Sequence, residues 1–114
     1  MKLKVLNRIR HGDEIAAEIQ HENPGYRKWV SIFVPEPRDP RSYDYKPITH
    51  KFEIQVLEQE WYADELDFHE EGFNILAVYE LEDEEAMLAQ AAKLVPSTDF
   101  FDVPWRAFNF VSPE

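Results

Sequence analysis

The side chains able to do chemistry are few in kind. The histidines are His11, His21, His50 and His69, and no two are spaced i, i+4 as in HExxH. His21-Glu22 and His69-Glu70-Glu71 set ligand types side by side, but adjacent residues project in different directions and do not converge on one ion. A metal site would have to be assembled from distant segments. The absence of cysteine removes disulfides, thiolate nucleophiles and Cys-based zinc sites. Serine stands at Ser31, Ser42, Ser97 and Ser112, never within GxSxG, and the three glycines make neither a P-loop nor GxGxxG. Carboxylates are so abundant that spacing singles out no acid–base pair. A glycosidase groove is also difficult to build from 114 residues. No catalytic residue, metal or cofactor is assigned.

The carboxylates point to a different chemistry, that of a binding surface. Net charge is −11, unevenly placed. Residues 1–50 hold nine Lys/Arg and seven Asp/Glu, whereas residues 51–114 hold three and sixteen, a net of −13. Such a half-chain disfavours nucleic-acid phosphates and anionic membranes and attracts cationic partners. The densest stretch is WYADELDFHEEGFN, residues 61–74. It interleaves Asp64, Glu65, Asp67, Glu70 and Glu71 with Trp61, Tyr62, Phe68 and Phe73. A solvated loop needs polarity but not five mutually repelling acids. Carboxylates among aromatic rings supply the steering field and the anchors of a tight interface with a basic protein. Trp61, Tyr62, Asp64, Glu65, Asp67, Phe68, Glu70 and Glu71 are therefore the candidate partner-binding residues. The other acidic run, Glu80 to Glu85, surrounds a helix start, where the macrodipole accounts for two or three of its acids. The stripe Lys2, Lys4, Arg8, Arg10 is the main basic feature. It reads as the solvated face of an edge strand, with a phosphate contact or pairing with neighbouring acids as alternatives.

Positioning these residues requires a folded domain. A hydrophobic fraction of 44% with sixteen aromatic residues supports one, and 114 residues suit a single domain, 1–114. Residues 2–10 alternate charged and apolar, which predicts a strand with Leu3, Val5 and Ile9 on one face. His11-Gly12-Asp13-Glu14 supplies a turn, and Ile15, Ala17 and Ile19 resume the alternation. A helix over 13–22 capped by Asp13 is the competing reading. Asn23-Pro24-Gly25 predicts a turn and residues 29–34 a strand. Four prolines between 35 and 47 make 35–49 a long surface loop. A further strand follows from Phe52, with a bulge to account for the facing of Leu57 and Trp61. Residues 73–79, apolar at both parities, read as a central strand covered on both sides. Residues 83–95, acidic first and basic last, predict the main helix, stopped by Pro96. Phe100 and Phe101 fall in a loop, and residues 106–111 suit a last short strand. The expectation is an α+β domain: an antiparallel sheet of five or six strands with one main helix, about 83–95, packed on one face.

A small, acidic, cysteine-free α+β domain with an aromatic and acid-rich segment resembles bacterial immunity proteins of contact-dependent growth inhibition and related polymorphic toxin systems. The resemblance lies in size, charge and composition rather than in a motif. It implies a cytoplasmic inhibitor that binds a cognate toxin domain, often a basic nuclease, without using nucleic acid or a membrane itself. MKLKVLNRIR lacks the apolar run of a signal peptide, which agrees with a cytoplasmic location. The alternatives are a DNA mimic, a small metal-dependent or metabolic enzyme, and an acidic adaptor or oligomerisation domain. The sequence leaves monomer or dimer open.

Overall fold

The computed structural model describes residues 1–35, 51–60 and 73–107. The elements run α1 (Leu3–Arg10), β1 (Ile15–Ile19), β2 (Tyr26–Phe33), β3 (Phe52–Glu60), β4 (Phe73–Leu81), α2 (Glu84–Leu94), a 3₁₀ turn (Thr98–Phe100) and α3 (Pro104–Ala107). The class is α+β, with an open antiparallel sheet in the order β1-β2-β3-β4. Among the described residues the sheet has four strands, not five or six, and α1 joins α2 as a second helix of eight residues or more.

The sheet is built by alternation. Ile15 and Ala17 of β1 stand opposite Ile32 and Val30 of β2, which stand opposite Ile54 and Val56 of β3. Tyr79 and Ala77 of β4 continue the same two rows. This face carries the core. Val5 and Ile9 from α1, Met87 and Ala91 from α2, and then Val95 and Phe101 cover it. Fully burying a Val, Ile, Met or Phe side chain contributes about 1.5–3 kcal/mol. The opposite face holds the buried Trp29, whose indole N–H donates to the Ala107 carbonyl at 2.7 Å. Ser31 lies on that face too, its hydroxyl donating to Glu14 at 2.6 Å.

Three sequence expectations are corrected. Residues 2–10 are helical, not extended. Leu6 decides it: it breaks the two-residue alternation, while Val5, Leu6 and Ile9 form one helical face. Val5 and Ile9 are buried, Leu6 packs beside them, and Leu3 remains 67% exposed. Lys, Arg and Leu are also sound helix formers. Second, β4 is the outermost described strand rather than a central one. Only its Ala77, Tyr79 and Leu81 pack on the core, and Ile75, Leu76 and Val78 are about half exposed or more. Third, the chain at 104–107 makes the single turn α3 where a strand was expected from 106, and residues 108–111 lie outside the described residues.

Other expectations hold. Within 13–22, Ile15–Ile19 forms a strand and no helix is present. α2 begins at an Asp83 cap that accepts from the Ala86 N–H at 2.7 Å, with Glu84 and Glu85 in its first turn and Lys93 in its last. The strand irregularity exists, but its extra residue is on β4. Val56 pairs with Ala77 and Leu57 with Ile75, leaving Leu76 bulged, while β3 runs in unbroken register with β2. The Pro-rich loop of 35–49 falls, after Pro35, outside the described residues.

Candidate functional site

The proposed partner-binding residues Trp61, Tyr62, Asp64, Glu65, Asp67, Phe68, Glu70 and Glu71 all lie outside the described residues. The strands on either side are described. β3 ends with Gln59 opposite Phe73, the first residue of β4, and Glu60 opposite Tyr26, the first residue of β2. Residues 61–72 therefore connect two hydrogen-bonded neighbours, entering and leaving at one end of the sheet. That end carries Glu58 and Glu60 on β3 and Glu22 in the β1–β2 turn, with Lys28 of β2 directly opposite Glu58. Its Arg27 is held in a two-point ion pair by Glu18, at 2.7 and 2.8 Å, and lies 5.1 Å from the centre of the Trp29 ring. Phe73 meets the same indole edge-on at 5.3 Å.

His21 and Glu58 are the nearest approach to a catalytic pair at this end. Glu58 Oε2 lies 2.6 Å from His21 Nε2, and the Asn23 backbone N–H points at His21 Nδ1 from 2.8 Å. A backbone N–H can only donate, so Nδ1 accepts and the proton sits on Nε2, bonded to Glu58. Neither ring nitrogen is left to take or give a proton to a substrate. The imidazole also stacks on Tyr26 with ring centres 5.2 Å apart. The pair clamps the β1–β2 turn. No group of three or more His, Cys, Asp or Glu set to hold a metal occurs among the described residues.

A second feature lies apart from the acidic end. α1 and residues 102–106 enclose a cleft of about 570 Å³. Lys2, Lys4, Arg8 and Arg106 line it together with Asp13 and Asp102. Both walls are fixed. The Met1 ammonium donates to Thr98 Oγ1 at 2.6 Å and pairs with Asp99 at 3.1 Å, which ties the start of α1 to the 3₁₀ turn. Asp102 and Ala16 exchange backbone hydrogen bonds of 2.8 and 3.0 Å at the edge of β1, and Ala107 is held by Trp29. Arg8 Nε donates to the Glu14 carbonyl at 2.9 Å. The Asp102 carboxyl is held below its usual range, first by the Val103 N–H and then by the charges of Arg106 and Lys2.

The predicted basic stripe is thus divided by helical geometry. Lys2, Lys4 and Arg8 face the cleft, whereas Arg10 turns to α2 and pairs with Glu84, Nε to Oε1 at 2.5 Å and Nη2 to Oε2 at 3.1 Å. Sequence reasoning had the stripe but missed the cleft, because the opposing wall comes from residues about a hundred positions away. The sequence signal was the two lysines beside the start of α1, where acids would suit the dipole. No helix among the described residues is long and apolar enough to cross a membrane. No protein-family model, curated protein or solved structure matches this chain.

Proposed function

We propose that this protein binds and neutralises a cationic protein partner through residues 61–72, in the manner of the immunity proteins it resembles. The observation that carries the reading is the hairpin register. Gln59 opposite Phe73 anchors both ends of the acid-rich connection to the core sheet, at an end that already carries Glu58 and Glu60. The chain therefore enters and leaves the five-carboxylate segment at neighbouring positions of the sheet, and the charge of Glu58 and Glu60 adds to it in steering a basic domain. Trp61, Tyr62 and Phe68 supply the apolar anchors, and the partner is a basic toxin domain such as a nuclease, bound in the cytoplasm.

Affinity capture with the tagged protein tests this, run beside a variant with Asp64 and Asp67 changed to Asn and Glu65, Glu70 and Glu71 changed to Gln. The expected outcome is a basic protein retained by the wild type and lost from the variant. Retention of the same proteins by both would remove the acidic segment from the interface.

A further inference from the structure

We propose that the cleft between α1 and residues 102–106 is a binding site for a small multivalent oxyanion, a phosphate ester or a polycarboxylate. The site is separate from the acidic hairpin end and does not depend on the neutralising role.

The charge balance of the cleft is the first ground. Elsewhere among the described residues the cations are scattered singly: Arg10 pairs with Glu84, Arg27 with Glu18 and Lys51 with Glu82 at 4.0 Å, while Lys28 and Lys93 stand apart from one another. In the cleft, Lys2, Lys4, Arg8 and Arg106 face Asp13 and Asp102, a balance of +2 in a molecule of net −11. Asp102 is already committed to the Val103 N–H at 2.8 Å and to Arg106 at 3.5 Å. Neither Lys2 nor Lys4 has a carboxylate within ion-pair distance among the described residues. Both also sit beside the positive end of the α1 dipole, so a bound anion relieves repulsion that the folded chain otherwise sustains.

Shape and donor chemistry are the second ground. A volume of about 570 Å³ is that of a small-molecule site rather than of a crevice between side chains. The backbone of both walls is held to the core, so binding orders only the side chains of Lys2, Lys4 and Arg106. Arginine and lysine give charge-assisted hydrogen bonds to phosphate or carboxylate oxygens. Asn7 adds amide donors, since its Oδ1 is taken by Arg10 at 3.4 Å. Val5 and Val103 offer an apolar wall to the carbon skeleton of the ligand. A long nucleic acid is the poorer fit. Beyond a Debye length of about 8–10 Å it leaves the cleft and meets the field of an acidic molecule, whereas a small anion stays inside.

The test is a ¹H–¹⁵N NMR titration of the full chain at low, constant ionic strength with inorganic pyrophosphate, AMP and citrate in separate arms. Saturable shifts are expected, confined to the amides of residues 2–11 and 102–107. Saturation by pyrophosphate and AMP ahead of citrate identifies phosphate as the recognised group, and the reverse identifies carboxylates. The double variant Lys2→Gln, Lys4→Gln should weaken binding by about tenfold or more. Arg106→Gln, on the opposite wall, should weaken it independently, and the distant Lys93→Gln should leave it unchanged. The dispersion of each spectrum shows that the variant is folded. Shifts that fail to saturate, that sodium chloride reproduces, or that survive the Lys2 and Lys4 changes overturn the site.

Discussion

Single side chains here are mostly committed to positioning. His21 spends both ring nitrogens on a turn, Trp29 spends its N–H on the last turn of the described chain, and Arg10 spends its guanidinium on α2. Glu84 has a measurable consequence. The hydrogen bond from Arg10, reinforced by the arginine's charge, holds its carboxyl below the usual carboxylate range. A group whose pKa is lowered by folding stabilises the native state above its unfolded pKa. That contribution disappears as pH falls through the lowered folded value. Glu84→Gln should therefore flatten the acid limb of stability, with less difference between neutral and acid urea midpoints than in the wild type. Glu80→Gln serves as the control for net charge. Equal acid limbs for wild type and Glu84→Gln would show that the α1–α2 pair contributes nothing through ionisation.

At the scale of elements, the connection from α1 to β1 is the most exacting stretch. The Gly12 N–H donates to the Ile9 carbonyl at 2.9 Å and the Asp13 N–H to the Arg8 carbonyl at 3.1 Å, the paired bonds of a Schellman ending, and Gly12 has φ +90°. A Cβ at Gly12 would meet nothing within 4 Å, so any cost of adding one is conformational rather than steric. Gly12→Ala should lower stability by about 1–2 kcal/mol in urea unfolding without altering the core. An unchanged midpoint would mean that the α1 ending relaxes freely. The turn at Gly12, the strands from Ile15 and Phe52, and the helix from Glu84 were legible because each carries a local signal: a turn residue, an alternation, or acids first and a base last before Pro96. α1 was not, because Leu3, Val5 and Ile9 alternate like a strand while Val5 and Ile9 also stand four apart as in a helix, and only Leu6 breaks the tie. The place of β4 was not either. Its apolar residues at both parities suit a central strand, whereas strand order depends on which neighbours pair, and no single segment encodes that. The candidate acidic site was legible as composition, but its anchoring to one end of the sheet became visible only from the register of Gln59 with Phe73.

For the whole molecule the organising fact is charge separated along the chain. Of the sixteen carboxylates in residues 51–114, seven fall within 58–71 and six, Glu53, Glu80, Glu82, Asp83, Glu84 and Glu85, fall where β3 begins and β4 ends, while four cations gather at the cleft beside α1. Under the proposed function, the carboxylates at 64–71 draw a cationic partner toward them before any contact forms. Steering acts on approach, within a Debye length of about 8–10 Å at 0.1–0.15 M salt, whereas escape is governed by the desolvated anchors. The direct measurement is stopped-flow association of the captured partner with the wild type, and with the variant neutralised at Asp64, Glu65, Asp67, Glu70 and Glu71, over a range of ionic strength. The account predicts a wild-type association rate that falls steeply with salt while dissociation changes little. In the variant, association should be slower at low salt and nearly independent of salt, with folding stability equal or higher. Association by the variant at the wild-type rate across the whole range would contradict it.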